Sequence, residues 1–242
     1  MLADEINKAR DLLARAERLV IFTGAGVSAD SGIPTFRGSG DSSFWGRYDP
    51  RALATPEGFA ENPRLVYDWY NWRRSQLRAI QPNPAHHAIA HWQRTRRAAL
   101  ITQNVDGLHE RLAPPQSLGI RLHGSLADDR CCACDWRESV DFANLPPLRK
   151  CPRCGALVRP DVVWFGECLD PDIWALAEDT VRECDLMLVV GTSGEVFPAV
   201  GLVDLASERA DIIIVNLDPG ALDHIAAVAL HGKAADIVPK LL

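Results

Sequence analysis

At 242 residues the chain has room for one large domain with a sizeable core, or for one and a half ordinary ones. Its 47% hydrophobic and 24% charged residues exclude a disordered or fibrous chain. The net charge of -6 gives a field that repels nucleic acid apart from local basic runs such as Arg94 to Arg97, so direct nucleic-acid binding is disfavoured.

From the N-terminus, Met1 to Arg18 mixes Asp4, Glu5, Asp11 and Glu17 with basic residues, unlike a signal or transit peptide. Ile6, Ala9, Leu13 and Ala16 recur at steps of three and four, which predicts a helix covering a sheet with one face. No apolar run approaches the roughly 18 residues a membrane span requires. A cytoplasmic protein with no membrane partner is expected, and nothing in the sequence sets an oligomeric state.

The apolar run Leu19 to Phe22 predicts a buried strand that feeds directly into Thr23-Gly24-Ala25-Gly26-Val27-Ser28-Ala29. Gly24, Gly26 and Ala29 satisfy the G-x-G-x-x-G/A pattern, in which missing side chains let backbone amides approach a pyrophosphate. A glycine pair serves any tight strand-to-helix turn equally well, so the pattern gains weight only from motifs further along the chain.

Three further strands are predicted at Ala98 to Thr102, Leu186 to Val190 and Ile212 to Asn216, separated by helical patterns. Short apolar strands alternating with helices define an α/β fold, a doubly wound parallel sheet with helices on both sides. Two stretches supply no strand suited to that sheet. Residues 39 to 84 hold all three tyrosines and three of the seven tryptophans, and residues 125 to 162 hold paired cysteines. We read both as parts of a smaller lobe, leaving 1–38, 85–124 and 163–242 for the larger one.

Ligands of such sheets sit beyond the carboxyl ends of the strands. The polar motifs fall there: Thr102-Gln103-Asn104-Val105-Asp106-Gly107-Leu108-His109, Gly191-Thr192-Ser193 and Asn216-Leu217-Asp218. Helix capping accounts for any one of them. Four motifs on one edge, counting the glycine turn, are better explained by a shared ligand.

Seven cysteines are present, and four of them form Cys131-x-x-Cys134 and Cys151-x-x-Cys154. Each pair turns two thiolates toward one point, and two pairs supply a tetrahedral sulfur cage for zinc. Disulfides are the competing reading, but an odd count in a chain with no export signal favours reduced thiols. Four sulfur ligands leave no open coordination position, so the zinc is structural. Cys132 has the wrong spacing to join the cage, and Cys184 follows an apolar pattern that suits a small core residue.

Taken together, the chain resembles the sirtuins, NAD-dependent protein lysine deacylases, over nearly its whole length. The motifs that carry the likeness are Gly24 to Arg37 (GAGVSADSGIPTFR), Thr102 to His109 (TQNVDGLH), Leu122 to Ser125 (LHGS), the two cysteine pairs, Arg159 to Glu167 (RPDVVWFGE) and Gly191 to Ser193 (GTS). The resemblance implies a larger Rossmann-like NAD-binding lobe, a smaller zinc lobe and an acyl-lysine tunnel between them. It implies that NAD is a consumed co-substrate and that acyl-lysine proteins are the partners.

It further implies roles by position. His123 matches the general base, for which an imidazole is chemically suited. Asn104 and Asp106 match residues that position the nicotinamide ribose and carboxamide, with Gln103 and Val105 beside them. Gly24, Ala25, Gly26, Ser28 and Ala29, with Phe36 and Arg37 of the same loop, match the cofactor loop. Gly191, Thr192, Ser193, Asn216, Leu217, Asp218 and Ala234 match the adenosine side. Val163, Trp164, Phe165 and Gly166 match the segment that pairs with the substrate backbone and walls the tunnel. In the implied reaction the acyl oxygen attacks C1′ of the nicotinamide ribose, nicotinamide leaves, and His123 assists the ribose hydroxyl that attacks the resulting imidate. Free lysine and O-acyl-ADP-ribose are the implied products.

Tyr70 and Arg73 stand three apart and so share a helix face. The Tyr-x-x-Arg pair is similar to that of the class III bacterial sirtuins that remove succinyl and malonyl groups, where hydroxyl and guanidinium bind the acyl carboxylate. A solvated basic face with aromatic packing beneath is the competing reading, and it suits Arg74 and Arg78. Two other functions stay in view: a sirtuin-like protein mono-ADP-ribosyltransferase and a non-catalytic NAD sensor.

Overall fold

A computed structural model describes residues 2–35, 49–117, 119–194 and 196–242. Its main sheet has six parallel strands: β1 (Leu19–Thr23), β2 (Ala98–Thr102), β3 (Gly119–Arg121), β7 (Leu186–Val190), β8 (Asp211–Asn216) and β9 (Val228–His231). The spatial order is β3-β2-β1-β7-β8-β9, and every neighbouring pair is parallel. The four apolar runs of the sequence form the centre, and β3 and β9 add short edges.

Both faces of the sheet are covered, which is why the central strands are apolar at every position rather than at alternate ones. Leu19, Ile21, Leu186, Leu188, Val190, Ile213 and Val215 pack on one side against α1 (Leu2–Arg15) and α5 (Pro84–Thr95). Val20, Phe22, Met187, Val189, Ile212 and Ile214 face the opposite side, against α6 (Pro171–Arg182) and α7 (Gly201–Ser207). Ala9 and Leu13 are the buried residues of α1, on the stripe predicted from its spacing. Cys184 is buried in the second cluster, and burial pushes its thiol up to about 11.

The chain runs outward from β1 through β2 to β3, then crosses to β7 on the other side of β1 and continues to β8 and β9. The order reverses between β1 and β7, so a crevice opens beyond their carboxyl ends. Three glycines meet at that point. A Cβ on Gly24 would lie 2.7 Å from Gly191 O, one on Gly26 2.7 Å from Gly191 Cα, and one on Gly191 2.2 Å from Val27 N. These glycines therefore let two loops interlock, with Gly26 N–H donating to Gly191 O at 2.8 Å. The sequence pattern suggested approach of a ligand as their reason; the crowding is by the protein's own backbone.

A second sheet orders β5 (Arg137–Ser139), β4 (Gly124–Cys131) and β6 (Val158–Val162), all antiparallel. Beside it lie α2 (Pro50–Leu53), α3 (Pro56–Glu61) and α4 (Pro63–Leu77), each opened by a proline in its first turn and by a side-chain cap from Asp49, Thr55 and Asn62. One core joins the helices to the strands: Leu53, Phe59, Val66, Trp69, Tyr70 and Leu77 pack with Leu126, Val162 and Trp164. No helix among the described residues is long and apolar enough to cross a membrane.

Candidate active site

Polar side chains at the carboxyl ends of the central strands form one connected network. Thr23 donates to Thr102 Oγ1 at 2.8 Å, and Thr102 Oγ1 accepts the Asn104 N–H at 3.0 Å. Asn104 Nδ2 donates to Gly24 O at 3.1 Å and to Ser28 Oγ at 3.3 Å. On the far side of the crevice Gln103 Nε2 donates to Thr192 Oγ1 at 3.1 Å and Asn216 Nδ2 to Thr192 O at 2.9 Å. The ends of β1, β2, β7 and β8 are thus cross-braced by the residues that the sequence singled out.

Asp106 lies beneath this edge. It accepts from Ser28 Oγ at 2.8 Å and from the Leu108 N–H at 2.9 Å. Burial pushes its carboxyl up, and those two hydrogen bonds, with Arg73 and Arg111, pull it back. The intervening Gly107 has φ of +75°, a left-handed turn that suits glycine.

Two buried histidines that the sequence left without a role complete the floor. His86 and His109 stack at 4.7 Å between ring centroids. Asn83 N–H donates to His86 Nδ1 at 3.3 Å, which places the His86 proton on Nε2, facing Ser28 Oγ at 3.4 Å. Burial lowers His86 to about 4 and His109 well below the usual imidazole range, so both are neutral at pH 7. His86 also completes a capping box with Asn83 at the start of α5, a signal legible in the sequence as Asn-Pro-Ala-His.

His123 is half-buried between β3 and β4. Its Nδ1 lies 3.1 Å from Gln103 O. A carbonyl can only accept, so Nδ1 carries the proton and Nε2 keeps the lone pair a general base needs. Burial lowers the imidazole below its usual range, with the Gln103 carbonyl opposing. The backbone carbonyl of His123 accepts the Val163 N–H at 3.0 Å, which ties this histidine to the segment Val163 to Gly166.

That segment is braced from behind. Arg159 Nη1 and Nη2 grip the two oxygens of Glu167 at 2.5 and 2.9 Å, and Glu167 Oε2 accepts the Trp164 N–H at 2.8 Å. Arg159 Cζ sits 3.3 Å from the centre of the Trp164 ring. The Trp164 Nε1–H donates to Tyr70 Oη at 2.9 Å. Phe165, by contrast, is exposed at 53%, and its N–H donates to Ala54 O.

Tyr70 and Arg73 lie on the face of α4 turned to this segment. Tyr70 is 1% exposed. The Arg73 guanidinium carbon lies 5.5 Å from the Tyr70 ring centre and 5.2 Å from that of Trp69. Burial raises the Tyr70 hydroxyl above its usual range, so it keeps its proton. Arg74, for which the sequence suggested a solvated face, is fully buried against Asp129 instead.

Not every candidate joins the network. Ala29, Ser193, Leu217 and Asp218 are exposed around the crevice mouth, where a ligand would meet them, and Ala234 is buried in the first turn of α8 (Ala234–Ile237). Phe36 and Arg37 lie outside the described residues. A crevice at a strand-order reversal, rimmed by amide side chains and glycine turns, fits a dinucleotide.

The four paired cysteines bring their sulfurs within 4.8 Å of one another. Cys131 and Cys154 sulfurs are 3.4 Å apart and those of Cys134 and Cys151 3.7 Å. A tetrahedron with metal–sulfur bonds of about 2.3 Å has edges of about 3.8 Å, so the cage has zinc dimensions and no open vertex. Cys132 is exposed and outside it.

A sequence model of the Sir2 family matches residues 24–198. The chain belongs to the Sir2 family. It is 49% identical over 243 residues to an NAD-dependent protein deacylase of Pseudomonas aeruginosa, covering 96% of each chain. It is 45% identical over 236 residues to one of Pyrobaculum aerophilum, covering 96% of this chain and 92% of the relative. Among solved structures it resembles a Sir2 homologue in complex with NAD, at 45% identity and a TM-score of 0.89, covering 97% of this chain and 91% of that one. A Sir2 protein bound to a myristoylated histone peptide is similar at 34% identity and a TM-score of 0.77, covering 99% of this chain and 95% of that one.

Proposed function

We propose that this protein removes acidic acyl groups, succinyl and malonyl, from lysine side chains, and acetyl as well, releasing nicotinamide and O-acyl-ADP-ribose. The coarser class is plain: membership of the Sir2 family and 45% to 49% identity to such enzymes over nearly the whole chain make it an NAD-dependent protein deacylase. The observation that favours the acidic acyl groups is the buried Tyr70 with the Arg73 guanidinium carbon 5.5 Å from its ring centre. A pocket with that pair offers an O–H and a fork of N–H donors to a carboxylate, and nothing comparable to a methyl group.

In this reading the larger lobe, 1–38, 85–124 and 163–242, holds the dinucleotide, and the smaller lobe, 39–84 and 125–162, holds the acyl end of the substrate. Bound NAD supplies a ribose carbon whose bond to nicotinamide breaks when the acyl oxygen displaces it. Gln103, Asn104 and Asp106 orient the nicotinamide ribose. Asn216, Ser193 and Ala234 flank the adenosine end. His123 Nε2 takes the proton from the ribose hydroxyl, and the Gln103 carbonyl holds the ring through Nδ1–H. Val163 to Gly166 align the substrate backbone beside His123, to which Val163 is bonded.

The test compares succinylated, malonylated and acetylated forms of one peptide on the native protein and on Arg73→Met. A hydrogen bond to a charged group is worth roughly 1.5–3 kcal/mol, so the variant loses about one to two decades in kcat/KM on the acidic peptides and much less on acetyl. Equal losses on all three would contradict the assignment of Arg73.

A further inference from the structure

Tyr70 is an ambivalent group: its hydroxyl has one hydrogen to give and lone pairs to receive. What it does in the pocket depends on what already occupies those lone pairs. Indole nitrogen can only donate, and so can guanidinium. The Trp164 Nε1–H donates to Tyr70 Oη at 2.9 Å, and the Arg73 guanidinium carbon lies 5.5 Å from the Tyr70 ring centre. Among the described residues no acceptor is bonded to that hydroxyl.

We propose that Trp164 is a positioning residue for acyl selectivity: by filling a lone pair of Tyr70 it points the Tyr70 O–H into the pocket as a donor reserved for the carboxylate of the acyl group. The inference rests on the acidic-acyl reading above and adds a residue that sets the polarity of the pocket without holding the charge itself.

The indole is held hard enough for this task. Arg159 lies against one face at 3.3 Å from the ring centre, Phe59 packs at 5.3 Å between centroids, and the Trp164 backbone N–H is fixed on Glu167. Arg159 is fixed in turn by both Glu167 oxygens and by Val162 O. An aligned, buried donor costs no reorganisation when the ligand arrives. Sequence alone gives no access to this, because Trp164 and Tyr70 are 94 positions apart and their contact exists only after the two lobes pack.

Trp164→Phe keeps a ring in place and removes the N–H. The succinyl-over-acetyl ratio of kcat/KM should fall about 3- to 10-fold, carried by KM for the succinyl peptide, as expected for one neutral hydrogen bond. In a Tyr70→Phe background the same change should leave the ratio where Tyr70→Phe alone put it, since there is no hydroxyl left to orient. Benzothienylalanine at position 164, which replaces N–H by sulfur in a ring of the same shape, should reproduce the loss if Trp164→Phe folds poorly. A native protein with no preference for acidic acyl groups overturns the acidic-acyl reading and this inference with it. A native preference that survives both substitutions at 164, or falls additively with Tyr70→Phe, overturns the role of Trp164 alone.

Discussion

Arg74 Nη2 meets Asp129 Oδ1 at 2.7 Å, and neither side chain reaches solvent. The other Asp129 oxygen accepts from Tyr67 Oη at 2.5 Å and from Arg149 Nη1 at 2.9 Å. Arg74 also donates from Nε to Leu126 O, from Nη2 to Asp128 O and from Nη1 to Asn71 Oδ1. Every nitrogen and oxygen of the charge pair thus has a partner, and the pair fastens helix α4, which carries Tyr70 and Arg73, to strand β4, which leads into the zinc cage.

Breaking a buried pair by removing one partner strands the other charge, at a cost of about 3–5 kcal/mol. Arg74→Met should lower the unfolding free energy by that much, read as a lower denaturant midpoint at unchanged slope, whereas Arg78→Met, on an exposed position, should move it little. A midpoint unaffected by Arg74→Met would show that the pair does not fasten the two elements.

The buried histidines make stability depend on pH. His86 falls to about 4 in the folded chain, against about 6.5 unfolded. A proton on Nδ1 would oppose the Asn83 N–H that now donates to it. The unfolded chain therefore binds the proton first. Stability is complete above pH 6.5 and declines as pH falls toward 4, by about 3 kcal/mol for this group. Denaturation of the native protein and of His86→Gln across that range should give curves whose difference narrows as pH falls; a constant difference would contradict the neutral, capping state of His86.

For His123 the sign concerns activity. The base works only when neutral, and burial lowers its pKa, so the acid limb of kcat/KM should lie below pH 6.5 with a plateau through neutrality. His123→Ala should cost about 10² to 10⁴ in rate, with NAD still bound. A limb centred at pH 7 or above would argue for another group.

The sulfur cage predicts one zinc per chain. Cys151→Ser should lose the metal, and Cys132→Ser should keep it, since Cys132 lies outside the cluster. Structural zinc is worth roughly 10–16 kcal/mol apparent in small sites, so chelation should raise hydrogen exchange across residues 124–162 while the main sheet stays protected. Protection unchanged after metal loss would mean the strands stand without it.

The centre of the main sheet was readable because its strands are buried on both faces and so carry unbroken apolar runs. The edges were not. β3 holds three residues with only Ile120 buried, and β9 alternates, so neither carries such a run. Strand β4 was hidden for another reason: the charged run Asp128-Asp129-Arg130 breaks any apolar pattern, yet Asp129 is fully buried because Arg74, Tyr67 and Arg149 converge on it from distant positions. The same long range conceals Trp164 against Tyr70. Within the site, short motifs exposed the residues that line the cleft, such as Asn104 and His123, while the stacked His86 and His109 stayed without a role because the stack closes only when α5 packs beside the turn that follows β2.

The claim on which the functional reading depends is that an acyl oxygen and a nicotinamide–ribose bond react together in this cleft. Mass spectrometry of the native protein with NAD and a succinyl-lysine peptide tests it most directly. Free lysine peptide, nicotinamide and O-succinyl-ADP-ribose formed in equal amounts are the expected result. Lysine freed without nicotinamide, or ADP-ribose left attached to protein, would contradict it.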